Sequence, residues 1–216
     1  MGSEVTWLTL VRHGETDYNR SNRYMGRRED GLSELGRDQA ARLAGRLVKE
    51  PRFDALYTSP LTRTRETAAP LEVALGMRAL PEPGFLEIDM GPWEGRDRAE
   101  VAEEDPARWA LWLIDPTQVQ VEGLESIDAL RRRVGEALDR LAAAHRGGRI
   151  LVVSHFACVV TAMLHALELP SSAYRRFPVD NASVTVLRCG ELGKLIRFND
   201  TTHLAADHTP LADLDS

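Results

Sequence analysis

Cysteine is nearly absent: Cys158 and Cys189 are the only two in 216 residues. A disulfide-stapled scaffold has no support. With no apolar leader at the N-terminus, the expectation is a reduced, cytoplasmic protein whose two thiols are packing residues. Long apolar runs are missing as well, and no stretch reaches the length needed to span a bilayer. Basic excess is lacking too. The 27 Lys and Arg stand against 33 Asp and Glu, a net charge of −6, which argues against a nucleic-acid partner and makes any cationic site a local one. There are no repeats and no low-complexity tracts, and apolar residues are spread evenly, which points to one domain over residues 1–216.

What is present is an alternation of short apolar runs with amphipathic ones. Strands are predicted at 7–11, 55–58 and 150–153. Ser33 is placed to cap a helix carrying Leu35, Ala40, Leu43, Ala44, Leu47 and Val48 on one face, with Pro51 past its end. A second helix is expected over 60–75, closed by Gly76. Short helices follow at 97–104 and 106–113. Ser126 then caps a long one with Leu130, Val134, Ala137, Leu138 and Leu141 facing inward, ended by Gly147 and Gly148. A helix over 157–167 precedes strands near 183–187 and 195–198, joined by a turn around Gly190 and Gly193. This order predicts an α/β fold, a three-layer α/β/α sandwich with a mostly parallel central sheet and an antiparallel element from the final hairpin.

Chemistry-bearing residues gather at the predicted strand ends, where open α/β sheets bind ligands. Arg12-His13-Gly14 follows the first strand, with Arg12 offering a guanidinium fork for phosphate oxygens and His13 a nitrogen nucleophile. Ser59-Pro60-Leu61-Thr62-Arg63 follows the second strand and opens a helix. Glu87 precedes a loop punctuated as Gly91-Pro92-Trp93-Glu94-Gly95. Ser154-His155 ends the strongest β-branched run. A phosphoryl group in transfer spreads charge over three oxygens, so catalysis calls for several donors converging from separate segments, as these do.

In combination these motifs resemble the histidine phosphatase superfamily, the phosphoglycerate mutase-like clan, and within it the phosphatase branch, over about residues 6–204. The resemblance implies a phosphoglycerate mutase-like fold and a catalytic set of His13, Glu87, His155, Arg12 and Arg63. His13 would be the phosphorylated nucleophile, Glu87 the proton donor and later the base for water. Arg12, Asn19, Gly26, Arg63, His155 and the Phe156 backbone N–H would bind substrate. No metal and no cofactor is implied: two Arg and a second, protonated His would supply the charge. Glu87 is expected to be protonated mainly when a phosphate dianion is bound beside it. Three positions depart from the family pattern, namely Met25, Thr64 and Phe156.

The segment 88–125 is expected to form a substrate lid. It holds ten acids and three bases, and this net charge of −7 argues against retaining a highly anionic mutase intermediate, so hydrolysis of small phosphomonoesters is favoured. The alternatives are a phosphoglycerate mutase, an isomerase, and a non-catalytic phospholigand-binding scaffold. Trp109 and Trp112 are expected to pack a helix onto the core, the alternative being contact with an apolar leaving group. His145 is taken as a surface residue complementing a helix dipole, His165 as structural, and the run Arg131 to Arg133 as a solvated face. Asp200, His203, Asp207 and His208 lack metal-ligand spacing. The partner implied is a small phosphomonoester, with no nucleic acid and no membrane. A homodimer contact could form at an edge strand or the lid, and the substrate itself is left open.

Overall fold

The computed structural model describes residues 5–190 and 192–205. In chain order the elements are β1 (Thr6–Arg12), α1 (Asp17–Arg20), α2 (Glu34–Leu47), β2 (Ala55–Thr58), α3 (Thr62–Leu75), β3 (Ala79–Pro81), α4 (Arg98–Glu104) and α5 (Pro106–Ile114). They continue with α6 (Ile127–Ala144), β4 (Arg149–Ser154), α7 (Phe156–Ala166), β5 (Val184–Cys189) and β6 (Lys194–Asp200). One sheet runs in the order β3-β2-β4-β1-β5-β6. β1, β2, β3 and β4 pair in parallel, β5 is antiparallel to β1, and β6 is antiparallel to β5. The expected α/β sandwich with a mostly parallel sheet and a closing hairpin is therefore the fold.

Alternation along the strands builds the two apolar layers. Ile150 and Val152 of β4, with Leu8 and Leu10 of β1, face α6 and α7. Leu151, Val153 and Val11 point the other way, against α2 and α3. Among the described residues no helix is long and apolar enough to cross a membrane.

Several boundaries differ from those read in the sequence. Leu35 and Val48 are 37% and 49% exposed rather than inward. Gly36 takes the inward place, because α2 presses onto the loop backbone so tightly that a Cβ there would lie 2.0 Å from the Glu15 carbonyl. α3 begins at Thr62, not at residue 60: the Ser59 N–H donates to Val153 O at 2.9 Å, which prolongs the sheet register past the strand. α1 and β3 were not foreseen. The first is one turn closed by a Thr16/Asn19 capping box, and the second is three residues long, too short to show a period.

Candidate active site

β1 and β4 lie side by side with Arg12 opposite Ser154 in register, so His13 and His155 emerge together at the carboxyl edge of the sheet. Their rings meet edge to face, 5.3 Å between centroids. Gly14 is required by close approach: a Cβ there would lie 2.5 Å from Gly36 O of α2. Its N–H donates to Thr67 Oγ1 of α3 at 3.0 Å, which anchors the turn. Asn181, unforeseen in the sequence, donates from Nδ2 to His13 O at 3.1 Å and to Asn19 Oδ1 at 3.2 Å. It comes from the loop before β5, and its signal is tertiary only.

His13 is 3% exposed, and its Nδ1 lies 2.7 Å from Gly14 O. A carbonyl accepts only, so Nδ1 carries the proton and Nε2 keeps its lone pair. Burial, then the charges of Arg63 and Arg12, hold this imidazole well below the usual histidine range, which keeps it neutral.

Arg63 is fully buried at the start of α3. Its Nε donates to His155 Nδ1 at 3.2 Å, and its two terminal nitrogens donate to Arg28 O at 2.9 Å and Gly26 O at 2.7 Å. A guanidinium carries five N–H donors, so two of them remain for a ligand. The bond to Nδ1 also decides His155. Arg63 can only donate, so Nδ1 is unprotonated and His155 Nε2–H donates to Ser59 Oγ at 2.8 Å. Burial and Arg63 depress this pKa strongly too. His155 is thus a neutral donor, not the imidazolium expected, and the positive charge of the site comes from Arg12 and Arg63.

Arg12 donates one NH1 proton to Val179 O at 2.5 Å and sets its guanidinium over the Phe156 ring, 5.8 Å from the centroid. Its Nε is sealed from solvent without a protein partner. Gly26 has φ +55°, and a Cβ there would lie 2.1 Å from Glu94 Oε1, which accepts the Arg27 N–H at 2.6 Å. The Glu of the Gly-Pro-Trp-Glu-Gly run therefore shapes the loop whose carbonyl holds Arg63. Asn19 Oδ1 accepts from Thr16 N and Asn181 Nδ2, which turns its amide nitrogen the opposite way.

Glu87 sits beneath the start of α7. Its Oε1 accepts the Ile88 N–H at 2.8 Å, and the Ala157 N–H also favours the carboxylate. Burial outweighs both of these and the charges of Arg63 and Arg12, so the pKa rises. Burial therefore raises this pKa before any phosphate arrives, and the charge of a bound phosphate would raise it further.

Arg133 braces this loop from α6. It donates to Gly84 O, Leu86 O and Glu87 O at 3.0, 2.8 and 3.4 Å and pairs with Glu125 at 2.8 Å. Arg131 donates to Leu164 O at 3.3 Å, so the run Arg131 to Arg133 is not a solvated face. Arg131 and Arg133 flank the buried stripe of Leu130 and Val134 on either side and are half-buried, while Arg132 is exposed. Cys158 donates to Leu86 O at 2.9 Å, and burial pushes its thiol pKa up.

The remaining candidates resolve as follows. Met25 is buried against Thr16, and Thr64 Oγ1 donates to Ser59 O at 2.8 Å, tying the loop before α3. Trp112 packs at 90° on Trp93, while Trp109 is half-buried with Nε1 sealed and unpartnered. His145 bonds Tyr57 OH through Nε2 at 2.9 Å, and His165 pairs with Asp139 at 3.1 Å. Asp200 and His203 engage Arg46, while Asp207 and His208 lie outside the described residues. Among the described residues no three His, Cys, Asp or Glu side chains are grouped to hold a metal.

A neutral imidazole with a free Nε2, two guanidiniums with spare donors and a protonatable carboxyl at a sheet's carboxyl edge define a class of α/β protein able to handle a phosphoryl group. The family is specific: the histidine phosphatase superfamily (branch 1) matches residues 8–201, and the chain belongs to it. Phosphoserine phosphatase 1 of Hydrogenobacter thermophilus is 35% identical over 198 residues, covering 91% of this chain and 93% of that one. A bifunctional protein of Mycobacterium tuberculosis is 36% identical over 181 residues, covering 84% of this chain but 50% of its own length, so the chain spans about half of that relative. Among solved structures, a mutant phosphoserine phosphatase of Entamoeba histolytica in complex with phosphoserine superposes with a TM-score of 0.82 at 29% identity, covering 92% of this chain and 99% of that one.

Proposed function

We propose that the protein is a metal-independent phosphatase that hydrolyses small phosphomonoesters through phospho-His13. The observation that carries this reading is the His13 tautomer. The Gly14 carbonyl holds the proton on Nδ1, which leaves Nε2 as a lone pair on a neutral, buried ring between Arg12 and Arg63. His13 Nε2 attacks phosphorus, the ester P–O bond breaks, and the leaving oxygen takes the proton of Glu87. Ionised Glu87 then removes a proton from water, whose oxygen attacks phosphorus as the N–P bond breaks and phosphate leaves. Arg12 and Arg63 stabilise the equatorial oxygens in both steps, joined by His155 when a phosphoryl oxygen replaces Ser59 Oγ as the acceptor of its one Nε2–H. Residues 88–125 close over the site as its lid.

The test is phosphate release from p-nitrophenyl phosphate in excess chelator, wild type against His13→Ala, with trapping of the phosphoenzyme by an alkaline detergent quench, which preserves an N–P bond that acid cleaves. Turnover and an acid-labile phosphoenzyme, both lost in the variant, are expected. Chelator-sensitive turnover, or turnover that survives His13→Ala, would overturn the proposal. Phosphoserine is the first physiological ester to assay, because it is the substrate named in the relatives' activities.

A mutase reading draws on one observation, that the lid's charge count misjudges the side facing the site. Its acids serve as helix caps and ion pairs: Asp97 and Asp105 cap α4 and α5, Glu104 pairs with Arg96, and Glu125 pairs with Arg27 and Arg133. Interconversion of 3-phosphoglycerate without net phosphate release would favour that reading over hydrolysis.

A further inference from the structure

Arg98 behaves differently from the other two bases of the lid. Arg96 pairs with Glu104 at 2.5 Å and Arg108 with Asp105 at 2.7 Å. Arg98, the first residue of α4, has no carboxylate partner among the described residues, and its Nε is sealed from solvent without a hydrogen bond. Its guanidinium instead lies over the Tyr24 ring, 5.3 Å from the centroid. Tyr24 packs edge to face on Trp112 at 6.4 Å. The same indole carries a second such cation. Arg175 sits 5.0 Å from the Trp112 centroid and 5.8 Å from that of Tyr174, with Nε donating to Trp112 O at 2.8 Å. Its NH2 is also buried and unpartnered.

The row closes on the catalytic pocket. Tyr174 packs on Phe156 at 5.8 Å, and Phe156 underlies Arg12, whose Nε is likewise sealed and unsatisfied. Three guanidiniums with idle donors thus share one aromatic floor. They are close enough to act on one another: burial is the main cause that lowers the pKa of Arg12 and Arg175, the charge of Arg98 adds to it in both, and burial raises the Tyr24 hydroxyl against a smaller opposing pull from Arg98 and Arg175. The three side chains are half-buried, but each has one nitrogen sealed from solvent with its hydrogen bond unmade, which is costly unless an anion nearby completes the set. One phosphoryl group can occupy Arg12 and Arg63, which leaves Arg98 and Arg175 for another anion. The aromatic surroundings, and the loss of Arg175 Nε to Trp112 O, suit a singly charged, planar group.

We propose that Arg98 and Arg175 form a second anion subsite beside the phosphate pocket, and that it takes the carboxylate of a small phosphorylated carboxylic acid. This rests on the phosphatase reading for its functional meaning, but the subsite can be tested without turnover. The probes are 3-phosphoglycerate and glycerol 3-phosphate, which differ only in carboxylate against hydroxymethyl. In wild type kcat/KM should favour 3-phosphoglycerate by roughly 10- to 100-fold, the yield of one charge-assisted contact set. Arg98→Gln and Arg175→Gln should each lose most of that preference, through KM more than kcat. A variant that is merely poorly folded lowers both rates together and leaves the ratio intact. Equal rates in wild type, or a preference that survives both substitutions, would overturn the subsite. Should no ester be hydrolysed, the phosphatase reading fails alone. Calorimetric affinities for the same two ligands then decide the subsite by the same ratio.

Discussion

At the residue scale, the opposed pKa shifts of His13 and Glu87 favour catalysis. Burial lowers one and raises the other, so a neutral nucleophile and a protonated acid coexist over a wider pH range than free side chains allow. On the acid side, kcat/KM should fall only below the depressed pKa of His13. On the alkaline side it should fall above the elevated pKa of Glu87, as the proton donor ionises. That second limb depends on the leaving group. Glu87→Gln should cost an alkyl phosphate about 10²- to 10⁴-fold in kcat/KM. It should cost p-nitrophenyl phosphate far less, since nitrophenolate leaves unprotonated. Parallel losses for the two esters, measured by steady-state kinetics, would remove Glu87 from the role of proton donor. The roles of Arg12, His13, Glu87 and His155 could be posed from strand-end motifs because each stands at a turn the local pattern predicts. The neutral state of His155 could not, because it is set by burial and by Arg63, 92 positions away in sequence.

At the element scale, the loop carrying Glu87 is held by α6 rather than by its own sequence. Arg133 supplies three bonds to its carbonyls and an ion pair to Glu125, whose carboxylate also accepts Arg27 at 3.1 Å. Arg133→Met should destabilise the protein by about 2–3 kcal/mol, at or below the low end of a stranded buried charge, because Glu125 keeps Arg27. It should also lower kcat more than it raises KM and shift the alkaline limb of the pH profile. A purely structural brace would change the urea midpoint and leave that limb in place. The length and inner face of α6 were legible from its cap at Ser126 and its apolar period. That Arg133 lies inward was not, because a run of three arginines carries no mark of which one meets a carbonyl.

At the scale of the whole molecule, buried neutral imidazoles couple folding to pH. The folded pKa values of His13 and His155 lie well below 6.5, and that of His203 is lowered by burial and by Arg46 to about 4. Below pH 6.5 the unfolded chain binds more protons than the native one, so stability falls as pH falls. The slope reaches about 1.4 kcal/mol per pH unit for each such histidine. Glu87 opposes it: with a raised folded pKa, its contribution is present at low pH and is lost as pH rises through that value. The histidines outnumber it. Urea denaturation at pH 7.5, 6.0 and 5.0 should show a falling free energy, and His13→Gln should flatten the curve. A stability that is level or rising toward pH 5.0 would contradict this account.

Sequence alone determined the order of elements, the mostly parallel sheet and the residues at its carboxyl edge, because hydrophobic period, caps and strand-end motifs are local and repeat within a few positions. Only the tertiary structure decided how those residues are charged and which cations stay unpaired. Leu35 gave way to Gly36 because a helix met a backbone. The acidic lid turned a cation inward because its carboxylates were drawn to helix caps and to Arg96, Arg27 and Arg133, while Arg98 came to rest on Tyr24. Such pairings depend on distances across segments remote in sequence, and no count of residue types contains them.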